Sequence, residues 1–163
     1  MADKWFVRNA RDELWLDTAD LGKYCNWERE GERLEQLGIN LNIMRPGEGM
    51  TTYHRELHRQ EAFLVLDGEA LLIVEGEERL LKKWDLFHCP PGVAHAIVGA
   101  GDRPCLVLAV GSRMGEDGVE YPVDPVAKKH NTGVDEATMS PKEAYAAFEF
   151  PPPTAYQEGW LPD

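Results

Sequence analysis

The chain has 163 residues, with 17 basic and 29 acidic side chains and a formal net charge of -12. This length suits one domain that buries its own core. A strongly acidic chain without a basic, aromatic-rich patch is a poor ligand for nucleic acid or for an anionic membrane, so we expect neither as a partner.

The cysteines and the N-terminus indicate the compartment. Cys25, Cys89 and Cys105 are an odd number, lie far apart and show no CxxC spacing. Such a set predicts buried free thiols in a reducing environment. Residues 1–5 lack a basic segment followed by an apolar one, and no apolar run approaches membrane-spanning length. We therefore expect a cytoplasmic protein.

The predicted elements begin with an arm over the first dozen residues and continue as short strands. Residues 38–44 alternate apolar and polar side chains until their last residue, as in a strand with one buried face. Asp67-Gly68 is a type I′ hairpin signal. Short strands separated by regularly spaced turns indicate an all-β sandwich or barrel. The predicted strands include residues 13–16, 23–28, 38–44, 61–67, 70–75, 78–81 and 105–110. A short strand that begins near residue 84 and a strand that His95 opens, through residues 96–98, are also predicted.

The chain becomes loop-rich from Gly111 onward. Ser140 followed by Pro141 and Glu143 has the pattern of an N-cap, a proline at the first helical position and a glutamate at the third. This predicts one short helix over 141–148, followed by an extended strap.

The tail has too few apolar residues for a core of its own. We therefore predict a single domain over 1–163, with a barrel core at about 38–110 and a C-terminal extension at 111–163.

Candidate metal ligands are concentrated between residues 53 and 99. If the chain is extended around His54, then His54 and Glu56 project from the same face, and a neighbouring strand can bring Glu61 beside them. His95 follows a Pro-Pro-Gly turn and opens a strand. Two histidines and two carboxylates on neighbouring strands suit a divalent ion.

The predicted metal ligands are therefore His54, Glu56, Glu61 and His95. His58 is the alternative to Glu56, because it lies two residues further along and shares its face if the strand continues. His88 lies just before the Pro-Pro-Gly turn. Alternation leaves open whether it points into the barrel as an acid or base or to the opposite face.

These residues resemble the two motifs of the cupin family. In the first motif, Glu61 and Gly68 have the required spacing, His54 takes the first histidine place and Glu56 stands where the second histidine belongs.

In the second motif, Pro90, Gly92 and His95 match in spacing. Trp84 occupies the place of the opening glycine, and Gly99 that of the closing asparagine. Because tryptophan replaces glycine, we expect another backbone shape at that turn.

The resemblance implies a double-stranded β-helix, a cupin barrel of the jelly-roll kind, with an N-terminal arm and a C-terminal tail that contains one short helix. Single-domain members of the family commonly pair, so we expect a homodimer in which the arm and the strap cross between subunits.

The resemblance also implies a metal-dependent enzyme that acts on a small organic molecule at the barrel mouth. Fe(II), Mn, Zn and Ni all suit the ligand set, and oxidation, isomerisation and decarboxylation remain open. The alternative is a non-catalytic module that binds or senses a small ligand, because three motif positions are substituted. The sequence assigns no catalytic residue and no organic cofactor.

Overall fold

The computed structural model describes residues 5–162 as a rolled all-β structure with two short α-helices and one 3-10 turn. Residues 1–4, where the predicted arm begins, and residue 163 lie outside this part. The strands are β1 (Leu14–Asp17), β2 (Lys23–Asn26), β3 (Leu37–Met44), β4 (Arg55–Glu56), β5 (Glu61–Asp67), β6 (Glu69–Val74), β7 (Glu77–Lys82), β8 (Leu86–Cys89), β9 (His95–Ala100), β10 (Cys105–Ser112), β11 (Val119–Glu120) and β12 (Thr154–Ala155).

The strands form a seven-stranded sheet in the order β12-β1-β2-β3-β10-β5-β8, a three-stranded sheet β7-β6-β9, and the pair β11-β4. All pairings are antiparallel. From β5 onward the chain passes repeatedly between two sheets, as in a jelly roll: β5, β8 and β10 lie in the seven-stranded sheet, and β6, β7 and β9 lie in the three-stranded one. The predicted all-β jelly-roll fold is confirmed.

The hairpin predicted at Asp67-Gly68 was wrong. β5 and β6 do not pair, because the chain crosses from the larger sheet to the smaller one at this point. Gly68 has φ 73°, and a Cβ there would lie 2.7 Å from the Pro104 carbonyl oxygen. The two-residue turn with positive φ occurs instead at Glu75 (49°) and Gly76 (76°), between β6 and β7.

Alternate side chains of the strands fill the space between the two sheets. Val65 and Val107 face each other in the register of β5 and β10, and both are fully buried. This inner core positions the walls of the barrel. Its buried members are Met44, Met50, Phe63, Val65, Ala70, Leu72, Cys89, Ile97, Cys105, Val107 and Ala109.

A second core covers the outer face of the large sheet. Trp15 is fully buried there, donates its Nε1–H to the Ala10 carbonyl at 2.9 Å, and packs edge-on against Trp160. Leu41 and Leu106 belong to the same cluster. The N-terminal and C-terminal segments therefore both pack onto this sheet face of their own chain.

The extension after β10 contains two short helices, α1 (Pro125–Lys129) and α2 (Pro141–Ala144). Helix α2 begins at Pro141 as predicted, with the Ser140 side chain as its N-cap, but it ends at Ala144 rather than at 148. Helix α1 carries the same signal, an Asp124 N-cap before a proline, and the sequence analysis missed it. In the part of the chain described, no helix is long and apolar enough to cross a membrane.

The thiols of Cys25, Cys89 and Cys105 are free and buried, as predicted.

The expectation for Trp84 was wrong, because this residue keeps the left-handed backbone that glycine would take, with φ 77°. Its N–H donates to the Val65 carbonyl at 2.8 Å, and Asp85 closes the turn onto Lys82. The Trp84 side chain is 68% exposed, so burial does little to offset the backbone strain.

Replacing Trp84 with glycine should therefore raise the free energy of unfolding by about 1 kcal/mol, because glycine adopts positive φ without a steric penalty. Trp84→Ala is the matched control: it removes the ring and keeps the Cβ, so it should bring no gain. Urea denaturation at one protein concentration measures both variants. A loss of stability in Trp84→Gly comparable to that in Trp84→Ala would contradict the strain argument.

Candidate metal centre

Three of the predicted ligands come together inside the barrel. His54, Glu61 and His95 each offer a ligand atom, and these atoms lie within 4.8 Å of one another. Glu61 Oε2 is 3.4 Å from His95 Nε2 and 3.8 Å from His54 Nε2. The two imidazole rings are 4.8 Å apart, centroid to centroid.

Strand pairing explains this convergence. His54 and His95 exchange two backbone hydrogen bonds, of 3.0 Å and 2.8 Å, although His54 lies just before β4. Glu61 is the first residue of β5, and it shares the inward face with Phe63 because side chains alternate along a strand. Glu61 at the start of β5 and the backbone-paired His54 and His95 therefore direct their side chains toward the same point.

Backbone carbonyl oxygens lie within hydrogen-bonding distance of the Nδ1 atoms of both histidines. His54 Nδ1 lies 2.8 Å from the Thr52 oxygen, and His95 Nδ1 lies 3.3 Å from the Val93 oxygen and 3.3 Å from Cys89 Sγ. A carbonyl oxygen only accepts, so each Nδ1 carries the proton and each Nε2 keeps its lone pair. In this arrangement the Cys89 thiol donates to the Pro90 or Val93 carbonyl rather than to His95. Both lone pairs face the Glu61 carboxyl group.

Burial sets the charges of this group. His95 is fully buried and His54 is 8% exposed. Burial lowers the pKa of His95 to about 3, with nearby His54 as a second cause, and burial also lowers the pKa of His54. Burial raises the pKa of Glu61 to about 7, and the Glu56 carboxylate adds to this rise. Both histidines are therefore neutral at pH 7, when Glu61 is partly ionised.

The donor set fits a divalent cation. Among the described residues, Glu61 Oε2 and His95 Nε2 are buried without a hydrogen-bond partner. Buried polar atoms are normally paired, and an orphaned one costs free energy. A cation placed among two imidazole nitrogens and a carboxylate oxygen would satisfy both atoms, and such a ligand set is typical of Fe, Mn, Zn and Ni sites. The pKa of the Cys89 thiol is raised to about 12, mainly by burial, so the thiol stays protonated.

The other predicted residues lie beside or outside this cluster. Glu56 is in β4 and close enough to raise the pKa of Glu61, but it is not in the group of three. His58 is exposed in the loop after β4. His88 is exposed on β8, with Nε2 3.4 Å from Gln60 Oε1, so alternation turned it away from the barrel interior.

Aromatic rings surround the centre, and the sequence analysis missed their role. Phe63 and Phe87 lie 5.2 Å and 5.7 Å from the His95 ring, and Tyr121 lies 5.9 Å from the His54 ring. Tyr145 packs edge-on against Tyr121. The two tyrosines come from the C-terminal extension, where aromatic side chains in an otherwise polar tail were the available signal.

Sequence comparison relates the chain to known proteins. The cupin domain family matches residues 40–111. A β-D-galactosidase from Mycobacterium tuberculosis is 31% identical over 99 residues, which are 61% of this chain and 77% of that protein. A mannose-1-phosphate guanylyltransferase from Salmonella typhimurium is 32% identical over 100 residues, which are 60% of this chain and 20% of that protein.

Among solved structures, a candidate sugar phosphate isomerase from Acidithiobacillus ferrooxidans has a TM-score of 0.52 and 32% identity, covering 56% of this chain and 58% of that one. The chain thus spans most of the galactosidase, over half of the isomerase and a fifth of the guanylyltransferase. The family match runs from within β3 to β10 and takes in all three clustered residues. The chain belongs to the cupin family.

Proposed function

We propose that this chain is a divalent-metal-dependent enzyme that acts on a sugar or sugar phosphate, with isomerisation as the leading reaction class over oxidation and decarboxylation. The observation that carries the metal site is the pair of orphaned buried atoms, Glu61 Oε2 and His95 Nε2, beside the free Nε2 of His54. The sugar class rests on similarity to three proteins whose names all concern sugars.

In this proposal His54, Glu61 and His95 would hold the ion, which would supply Lewis-acid polarisation of a substrate oxygen. With only three protein ligands, such an ion would still be able to bind substrate or water. The Phe63 and Phe87 rings shield the centre from bulk water on the His95 side.

Glu56 is the candidate base. An isomerisation that moves a proton between adjacent carbons needs one group that accepts and returns it. Burial raises the pKa of Glu56, which suits a carboxylate that must take up a proton, while the Arg59 cation acts in the opposite direction. On this hypothesis Glu56 contacts the substrate and does not bind the ion.

Uncharged polar side chains on the inward face of β3 suit a hydroxyl-rich ligand. Asn40 and Asn42 occupy the same face of β3 as inward-facing Met44, and Asn42 donates to Asn40 Oδ1 at 2.6 Å. Amide groups in such positions both donate and accept hydrogen bonds, as sugar hydroxyls require.

The second candidate is a non-catalytic cupin that binds or senses a small ligand. Three substituted motif positions, at Glu56, Trp84 and Gly99, favour it. An ion with no open position would serve structure or sensing rather than turnover. An ion that carries exchangeable water would favour the enzyme.

Metal content tests the site directly. Protein purified without chelators or metal-affinity columns should contain about one Fe, Mn, Ni or Zn ion per chain by elemental analysis. His54→Ala and His95→Ala should each abolish the metal content, because each removes one of three ligands. His88→Ala is the matched control and should keep the ion, since His88 is exposed on the outside of β8.

Stoichiometric metal in both alanine variants of the cluster would contradict the assignment. A wild-type protein that contains no metal, and regains none when these ions are added, would favour the non-catalytic ligand-binding module.

The raised pKa of Glu61 predicts how the stability of the metal-free protein depends on pH. Its folded pKa of about 7 lies above the ordinary 4.5, so the folded metal-free protein binds this proton more tightly than the unfolded chain. The stability of the metal-free protein should therefore fall as pH rises from 4.5 through 7, by up to about 3 kcal/mol. Glu61→Gln should remove this fall and stabilise the metal-free protein at pH 8.

Denaturant unfolding at several pH values measures this effect, and Glu116→Gln in an exposed loop is the control. The same proton competes with the ion, so metal affinity of the wild type should weaken as pH falls below about 7. An unchanged pH profile in Glu61→Gln would exclude Glu61 as the source.

We also propose a homodimer through the β8 side of the outer face of the large sheet. Leu108, Leu64 and Leu86 form a row across β10, β5 and β8, and Leu86 is 64% exposed, whereas Leu41 at the other end of the row is buried within the chain. In a chain with net charge -12, this row without carboxylates is where two copies can meet with least repulsion.

Light scattering should give the mass of two chains for the wild type and of one chain for Leu86→Asp, because the new charges would face each other across the two-fold axis. Leu80→Asp, on the edge strand of the smaller sheet, is the control and should stay dimeric. A monomeric wild type would refute the dimer.

A further inference from the structure

The segment that carries His54 departs from regular pairing. Gly49 bridges to Val98 and His54 bridges to His95. Between these bridges, residues 50–53 lie opposite only residues 96 and 97 of β9, so the chain bulges there. Met50 N–H still donates to the Ile97 carbonyl, but the bulge takes Thr52 out of the ladder.

Tyr145 bonds to the displaced backbone. The Thr52 N–H donates to Tyr145 Oη at 3.3 Å, although the two residues are 93 positions apart. The carbonyl of the same Thr52 accepts the Nδ1–H of His54 at 2.8 Å. Tyr145, Thr52 and His54 thus form a short relay of hydrogen bonds that ends at a ligand of the candidate metal centre.

The C-terminal extension holds Tyr145 in place. Tyr121 exchanges backbone hydrogen bonds of 2.8 Å and 3.1 Å with Thr138, and it packs with Val134 and Ala144 in a small buried cluster that Tyr145 joins. The Tyr121 ring lies 5.9 Å from both the Tyr145 ring and the His54 ring. The extension therefore contacts His54 through packing as well as through the relay.

The orientation of His54 depends on these contacts. A neutral imidazole has two tautomers, and only the one with Nδ1–H leaves an Nε2 lone pair for an ion. That tautomer is favoured when a carbonyl oxygen is fixed beside Nδ1. Hydrogen-bond partners of metal-binding histidines set metal affinity in this way.

We propose that Tyr145 is a positioning residue of the metal centre: by accepting the Thr52 N–H, it fixes the carbonyl that sets the tautomer and orientation of His54. Residues outside the family match at 40–111 thus complete the site. The consequence for metal affinity rests on the proposed function, whereas the consequence for the His54 tautomer does not.

The chain offers a matched control for removing the tyrosine hydroxyl. Tyr156 Oη also accepts a backbone N–H at 3.3 Å, from Leu161, but it lies in the outer core with Trp15. Tyr145→Phe and Tyr156→Phe therefore delete the same kind of hydrogen bond at different places. Thermal melting of both variants reports any general loss of stability.

The first measurement is the tautomer of His54 in the metal-free, full-length protein, by ¹⁵N NMR of the imidazole nitrogens, with His54→Ala to assign the signals. The wild type and Tyr156→Phe should show the Nδ1–H tautomer. Tyr145→Phe should show a mixture of the two tautomers. The wild-type tautomer in Tyr145→Phe would overturn the proposal.

The second measurement is calorimetric titration with Mn²⁺ or Zn²⁺. Tyr145→Phe should bind about 3- to 10-fold more weakly than the wild type, and Tyr156→Phe should be unchanged. Equal weakening in both variants would overturn a specific role for Tyr145. A wild type that binds no ion, while Tyr145→Phe shifts the tautomer, would overturn the proposed function and leave the positioning role supported.

Discussion

The centre of this protein depends on one constraint: two imidazole nitrogens without protons and one carboxyl group are buried at a single point. His54 and His95 have their protons turned away toward backbone carbonyls, and Glu61 Oε2 faces both bare nitrogens. Burying such atoms without a positive partner costs free energy that ordinary packing does not recover. A proton or a cation between them removes this cost, and the backbone pairing of His54 with His95 keeps the two imidazole rings together.

The two carboxyl groups at the centre differ in what sets their pKa. Glu61 begins a strand of the large sheet and shares its inward face with the apolar core, so burial dominates its pKa. Glu56 lies in the two-residue strand β4, where the charge of Arg59 acts against burial. One carboxylate therefore belongs to the cluster with His54 and His95, and the other lies beside that cluster.

Much of the fold and part of the site followed from the sequence, because strand periodicity and the spacing of Glu61, Gly92 and His95 depend on local geometry alone. The place of His58 did not follow, since β4 ends at Glu56 and the chain bends at residues 57 and 58, so the period-two alternation does not continue to it. The crossing at Gly68 has the same sequence signal as a hairpin and differs only in its tertiary partners. Tyr121 and Tyr145 reach the site through long-range packing, which spacing along the chain cannot encode.

The pairing of β1 with β12 also bears on the order in which the molecule can be assembled. Leu14 finds its strand partner Ala155 about 140 residues later, so this edge closes only after a long loop of chain has been ordered. During synthesis on the ribosome, Trp15 and the outer sheet face must wait for Tyr156 and Trp160 to emerge. The inner barrel can form from residues that appear earlier, and for that interval the nascent chain exposes the apolar face that its own last residues will cover.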